Sequence, residues 1–152
     1  MSDRRGTEHR AAGWLLRLAG VSAIIGGLGF GWFTIPAMAS VAEGHGPIWV
    51  MGFPAYGYGP LSAAGFATTV PLLAVFLVAC LVQAAGGVLL LWRLTAGVVV
   101  TIIGIALSAV FWWGFVLPLG WAGAVVQLAL MAFGWSGRRS NDLVSPSDSV
   151  SE

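Results

Sequence analysis

Between Pro71 and Arg93 the chain reads PLLAVFLVACLVQAAGGVLLLWR, with no charge before its last residue. About twenty apolar residues, rising 1.5 Å each, suffice to cross a hydrocarbon core of roughly 30 Å. Lipid offers the backbone no hydrogen-bond partner, so such a run must be a helix that satisfies its own amides. Trp92 and Arg93 close it with an indole and a cation, a pair suited to a cytoplasmic interface. One polar side chain, Gln83, lies near its middle.

The rest of the chain agrees with a membrane setting. Of 152 residues, 58% are hydrophobic and 9% charged, too apolar for an ordinary soluble domain. A net charge of +1 excludes the concentrated basic surface that nucleic acid requires. The single Cys80 lies inside the apolar run, which rules out an intramolecular disulfide or a Cys-pair redox centre.

The charges partition the sequence. Asp3, Arg4, Arg5, Glu8, Arg10 and Arg17 come first, followed by Glu43, then Arg93 alone, then Arg138 and Arg139. Four apolar spans fit between them, at about 15–35, 70–92, 95–116 and 120–136. The expected fold is therefore all-α, an integral membrane four-helix bundle with both termini cytoplasmic. That arrangement puts all seven basic residues, every one an Arg, on one side. A cytoplasmic segment 1–13 precedes the membrane domain 14–137, and a Ser-rich tail 138–152 follows, expected to be disordered. Such a protein belongs in the inner (plasma) membrane as a multi-pass component.

The tryptophans give an independent measure of depth. Trp14, Trp92 and Trp135 fall at the inner boundary, and Trp32, Trp112, Trp113 and Trp121 at the outer one, where indole prefers to lie. Only Trp49 is away from a span end. The Arg-rich start and Ala37-Met38-Ala39 before Ser40 also resemble a secretory signal with its cleavage site. The length of the apolar run and the nearby Pro36 favour an uncleaved first span.

That span carries Ala19, Ala23, Gly27 and Gly31 at intervals of four, a stripe of small residues that lets another helix approach closely. It serves either packing within the bundle or a homodimer seam. Gly104, Ser108, Gly120, Ala124 and Gly134 predict similarly tight packing in the third and fourth spans. The outer segment 36–69, with GHGPIWVMGFPAYGYGP, is expected to be irregular but ordered, folding over the outer mouth, with a short helix near 61–66. Thr69 before Pro71 makes a cap and first turn for the second span.

Candidate chemistry is sparse. No ionisable group lies in the interior of a span, so a proton-coupled pump lacks its essential part. No metal, nucleophile or phosphate-binding spacing is present, and His9 and His45 lie on opposite sides of the membrane. No catalytic or metal-ligating residue is assigned, and the chain leans away from being an enzyme. Glu43 and His45 are the titratable pair of the outer loop, too few for a metal site. Gln83 and Gln127 remain, both about 15 Å from the inner boundary and so in one layer. Each lies on a small-residue face, Gln83 beside Ala79 and Gly87, Gln127 beside Gly123 and Ala124. An unpaired amide in hydrocarbon costs several kcal/mol, so both should turn inward. They serve either as an interhelical hydrogen bond or as part of a pocket for a lipid or a quinone head group. In the second case Trp112, Trp113, Tyr56 and Tyr58 are further candidate ligand contacts.

The stretch LVACLVQAAGGVLLLWRLTAGVVVTIIGIALSAVFW resembles the central helical hairpin of DoxX-like four-helix membrane proteins, in which an acidic residue precedes a Gly-Gly step, a leucine run and an Arg-bearing turn. GFPAYGYGP and ATTVPLLAVFLVAC look similar to actinobacterial integral membrane proteins of this size. The resemblance implies a setting linked to respiratory or redox complexes and quinone. Gln83 stands where that pattern carries Glu and cannot ionise.

Two functions follow as expectations. The first is a non-catalytic structural or accessory subunit that packs against a larger membrane complex, or against itself, through the small-residue stripe. The second is a lipid- or quinone-binding module with a cavity between the second and fourth spans under the 48–60 loop. A channel is a distant third, since no polar track is continuous enough to line a pore.

Overall fold

The structure, a computed structural model, describes residues 2–45, 48–50, 53–55, 59–92, 94–115 and 117–142. In chain order the elements are α1 (Ser2–Ala42), β1 (Ile48–Val50), β2 (Phe53–Ala55), α2 (Pro60–Ala63), α3 (Val70–Leu91), α4 (Thr95–Gly114) and α5 (Pro118–Asp142). Four of the helices are long and apolar enough to span a membrane.

α3 is the second expected span and starts as its sequence indicates. Thr69 is extended and its Oγ1 accepts the Leu72 N–H at 3.4 Å, with Pro71 in the first turn, where a missing N–H costs nothing. Its other end turns at Trp92, and the Leu94 N–H reaches back to the Leu89 carbonyl. Arg93 itself lies outside the described residues.

α1 departs from expectation. It does not stop near residue 35 but runs through Pro36 to Ala42, 41 residues in all. Proline costs a helix one hydrogen bond and crowds the carbonyl four residues back. Here Pro36 is exposed toward the lipid side, while Thr34 and Ala37 on the opposite face are fully buried. The Thr34 hydroxyl donates to the Phe30 carbonyl at 2.8 Å, the common back-bond of a helical threonine. Ala37-Met38-Ala39 is thus part of the helix. α1 ends in a turn at Gly44, whose φ of 74° favours glycine, with the His45 N–H on the Ser40 carbonyl.

Two further boundaries differ. The outer segment contains an antiparallel hairpin pairing Ile48 with Ala55, Trp49 with Pro54 and Val50 with Phe53, where irregular chain was expected. β1 lies against α1. The short helix α2 begins at Pro60 and ends at Ala63, earlier than residue 66, because the chain turns at Gly65 with φ 86°. α5 continues to Asp142, so 138–142 is helix and not tail. Residues 143–152 lie outside the described residues.

The four long helices form a ring in which α1 neighbours α3 and α5, and α4 neighbours α3 and α5. α1 and α3 pack most extensively, while α4 and α5 touch least. The core is built from Leu73, Phe76, Cys80, Leu90, Ile105, Phe111, Trp112, Phe115, Ala124 and Met131. Its end beneath α2 is aromatic: the Phe76 and Phe111 rings lie 5.1 Å apart, and Phe111 lies 5.9 Å from Phe115. Leu61 of α2 covers this end by seating on Gly114, where any Cβ would collide with it.

The indole positions divide. Trp14, Trp32, Trp92, Trp113 and Trp121 are exposed, and Trp14 receives the Arg17 guanidinium over its ring at 5.9 Å. Trp112 differs, being 1% exposed, and fills the outer core between Phe30 and Trp121 instead of lying at the interface. Gly120 makes the room: a Cβ there would enter the Trp112 ring.

Candidate functional site

The small-residue stripe of α1 faces α3 of the same chain. Ala19 and Ala23 have no exposed surface, and Gly27 and Gly31 are buried with them. A Cβ on Gly27 would run into the Cys80 carbonyl, and one on Gly87 would come within 2.5 Å of the Gly20 carbonyl. The two backbones therefore meet along Gly20, Ala23 and Gly27, the close approach that small residues permit in lipid. The stripe is occupied within the protomer and presents no seam to a second copy.

Gln83 and Gln127 are brought together at the centre of the ring. The Gln83 Nε2 donates to Gln127 Oε1 at 3.1 Å, joining α3 and α5 across the diagonal of the bundle. The Ser108 hydroxyl of α4 donates to Gln83 Oε1 at 3.4 Å. All three side chains are buried, at 3%, 1% and 0% exposure respectively. Glycines on the neighbouring helices allow this. A Cβ on Gly104 would lie 2.7 Å from the Gln83 Cα, and one on Gly26 would lie 3.5 Å from its Nε2. Both amide oxygens are engaged, but the Gln127 Nε2 has no acceptor among the described residues. Thr101 Oγ1 and Trp112 Nε1 share that condition.

The Gln83–Gln127 hydrogen bond lies between the second and fourth spans, α3 and α5, where a cavity was expected. Among the described residues an opening lies between the first and the fourth, α1 and α5. It is a furrow of about 630 Å³, walled by Leu18, Ile25 and Phe33 on one side and Leu119 and Leu130 on the other, and floored by Gly26, Gly29 and Gly123. Cβ atoms built on Gly29 or Gly123 would meet nothing within 4 Å. Ser22 is its one polar side chain. The volume falls within the range of about 300–1,000 Å³ usual for ligand sites.

The remaining candidates do not join this site. Trp112 is sealed in the outer core and Trp113 points away from it, 58% exposed. Tyr56 and Tyr58 lie outside the described residues, as does much of the expected lid. Glu43 and His45 stand together in the outer turn, His45 Nδ1 3.1 Å from Glu43 Oε2, both well exposed. No group of three or more metal-ligating side chains occurs among the described residues.

Three features were not read from the sequence: the furrow glycines Gly26 and Gly29, and the role of Ser108. Their signal is present in hindsight. Ser22, Gly26 and Gly29 form a second run of small residues at helical spacing, rotated from the buried one. Comparison with protein-family models, with curated proteins and with solved structures returns no match for this chain.

Proposed function

We propose that this multi-pass membrane protein is a non-catalytic binding module for a lipophilic molecule, seated in the plasma membrane with both termini cytoplasmic. One observation carries the reading: an apolar furrow floored by Gly26, Gly29 and Gly123 opens at the surface of the bundle between α1 and α5. Apolar walls hold a hydrocarbon chain, and Ser22 supplies the single polar point among the lining side chains, the usual division of labour in ligand sites. A lipid or a quinone fits this description. The DoxX-like resemblance points toward the quinone, whereas Gln83 in place of the acidic residue argues for binding without proton transfer. Gly29→Leu and Gly123→Leu fill the furrow from its floor without touching the core. The purified chain should retain a defined lipophile, detected by mass spectrometry, and both variants should lose it. Identical lipid content in all three proteins would refute the reading.

A second reading rests on Ser22, Gly26 and Gly29. Small residues on a lipid-facing stripe also receive partner helices, so the furrow would hold a helix of a larger membrane complex, with the chain as an accessory subunit. Purification in mild detergent distinguishes them: a co-eluting protein lost in Gly29→Leu supports the accessory role.

A further inference from the structure

One end of the furrow is charged. On α1 its wall begins at Leu18 and Val21. Trp14 precedes Leu18 by four residues and Arg17 precedes Val21 by four, so both continue that wall by one turn. Both are exposed, and the Arg17 guanidinium lies over the indole ring, 5.9 Å from its centroid. A guanidinium on an aromatic face is positioned without using up its N–H donors. Among the described residues no carboxylate pairs with it, and the ion pair of Glu43 and His45 stands at the other end of α1. The neighbouring sequence adds cations on this side. Arg10 lies seven residues before Arg17, on the same face of α1, and Arg138 lies four beyond Gly134, which packs on Leu16. Glu8, nine residues before Arg17, is two and a half turns away, on the opposite face.

Contact with α3 fixes the depth of each group along α1. A Cβ on Gly20 would lie 3.2 Å from the Leu90 Cβ and 3.3 Å from the Leu91 Cδ2, in the last turn of α3. Gly20 is therefore level with the end of that span, Arg17 about 4.5 Å beyond it and Ser22 about 3 Å within it. Ser22 is the one polar side chain lining the furrow. Its hydroxyl has no hydrogen-bond partner among the described residues, whereas Thr34 and Ser136 bond back to their own helices. From Ser22 to Phe33 the wall runs eleven residues, about 16 Å, close to half of a hydrocarbon core of roughly 30 Å. From the surface inward the furrow thus offers a cation, a hydroxyl and one leaflet's depth of apolar wall. A glycerophospholipid presents phosphate, ester carbonyl and acyl chain in the same order. A quinone has no anion for Arg17. A fatty acid carries charge and carbonyl on one carbon, whereas Arg17 and Ser22 stand five residues apart, about 7.5 Å.

We infer that the furrow takes an acyl chain of an anionic glycerophospholipid, with the phosphate on Arg17 over Trp14 and an ester carbonyl at the Ser22 hydroxyl. The inference rests on the furrow being a lipophile site, and its test separates the two. The full-length chain in detergent is equilibrated with dioleoylphosphatidylglycerol, and separately with dioleoylglycerol, and the bound amounts are measured by native mass spectrometry. The two probes share their esters and acyl chains and differ in the phosphate head group. The phospholipid should be retained about tenfold over the diacylglycerol, the worth of one hydrogen bond to a charged group. Arg17→Gln should bring the two level. Arg139→Gln removes the same charge nine residues past Leu130, on the opposite face of α5, and should leave the ratio unchanged. Ser22→Ala should lower both ligands alike, by about threefold, and Gly29→Leu should abolish retention of both. Equal retention of the two lipids, both lost in Gly29→Leu, would overturn this inference and leave the furrow reading standing. A preference that Arg139→Gln weakens as much as Arg17→Gln does would have the same meaning. Retention of neither lipid would overturn the inference outright, and retention that Gly29→Leu does not change would overturn the furrow reading with it.

Discussion

Gln83 serves two partners, accepting from Ser108 and donating to Gln127, whereas Gln127 serves one. Removing one member of a buried pair leaves the other without its bond, which costs about 1–3 kcal/mol, while replacing both by apolar groups is close to neutral. Gln83→Leu should therefore lower the thermal midpoint in detergent more than Gln127→Leu does. The double variant should recover part of the loss, and a strictly additive loss would show that the pair is not coupled. The meeting of these amides was legible in the chain, because helical rise places them in one layer and hydrocarbon forbids either to face outward. The unused donor on Gln127 was not, since it depends on the side-chain geometry that points its oxygen, and not its nitrogen, at Gln83.

At the scale of the helices, glycine plays two opposite parts. Gly20, Gly27 and Gly87 bring α1 and α3 into backbone contact, while Gly29 and Gly123 hold the furrow open. The same substitution must then have opposite consequences at the two sets of positions. Gly87→Val forces a side chain against the Gly20 carbonyl and should destabilise the protein by about 1–3 kcal/mol, the usual cost of overpacking. Gly29→Ala meets open space, and the gain in helix propensity over glycine, up to about 1 kcal/mol, should leave stability unchanged or slightly raised. Thermal unfolding of the two variants side by side measures the contrast. Equal destabilisation would mean that the furrow is closed in solution. Sequence periodicity picked out Ala19, Ala23, Gly27 and Gly31, the stripe that turns inward, left open whether it packs within the bundle or against a second copy, and did not pick out the second run. Ala19–Ala23–Gly27–Gly31 and Ser22–Gly26–Gly29 are similar stripes, and the first is the one seated on Cys80, Ala84 and Gly87 of α3. The first span also outran its expected end near residue 35, because Pro36 is exposed and α1 continues through it to Ala42.

For the whole molecule, the thickness of the hydrocarbon and the exclusion of charge from it account for most of what could be read in advance. Four helices of 20 or more residues follow from those two constraints alone. Sidedness rests on a separate argument, the gathering of all seven Arg at one end of the spans and of an Arg-free aromatic segment at the other. The four crossings return the chain to the side on which it began, so one inner and one outer marker decide the topology. Cys80 is the only cysteine and is 1% exposed, which gives a silent background for thiol labelling. Ser62→Cys lies on the exposed surface of α2 at the outer end, and Thr95→Cys at the exposed start of α4 at the inner end. A membrane-impermeant maleimide added to intact cells should label Ser62→Cys and spare both Thr95→Cys and the parent protein. After the membrane is opened, Thr95→Cys should react as fully. Labelling of Thr95→Cys from outside with protection of Ser62→Cys would invert the topology. The Gln83–Gln127 pair would keep its place at mid-depth in either orientation, because its distance from both surfaces is set by position along the helices.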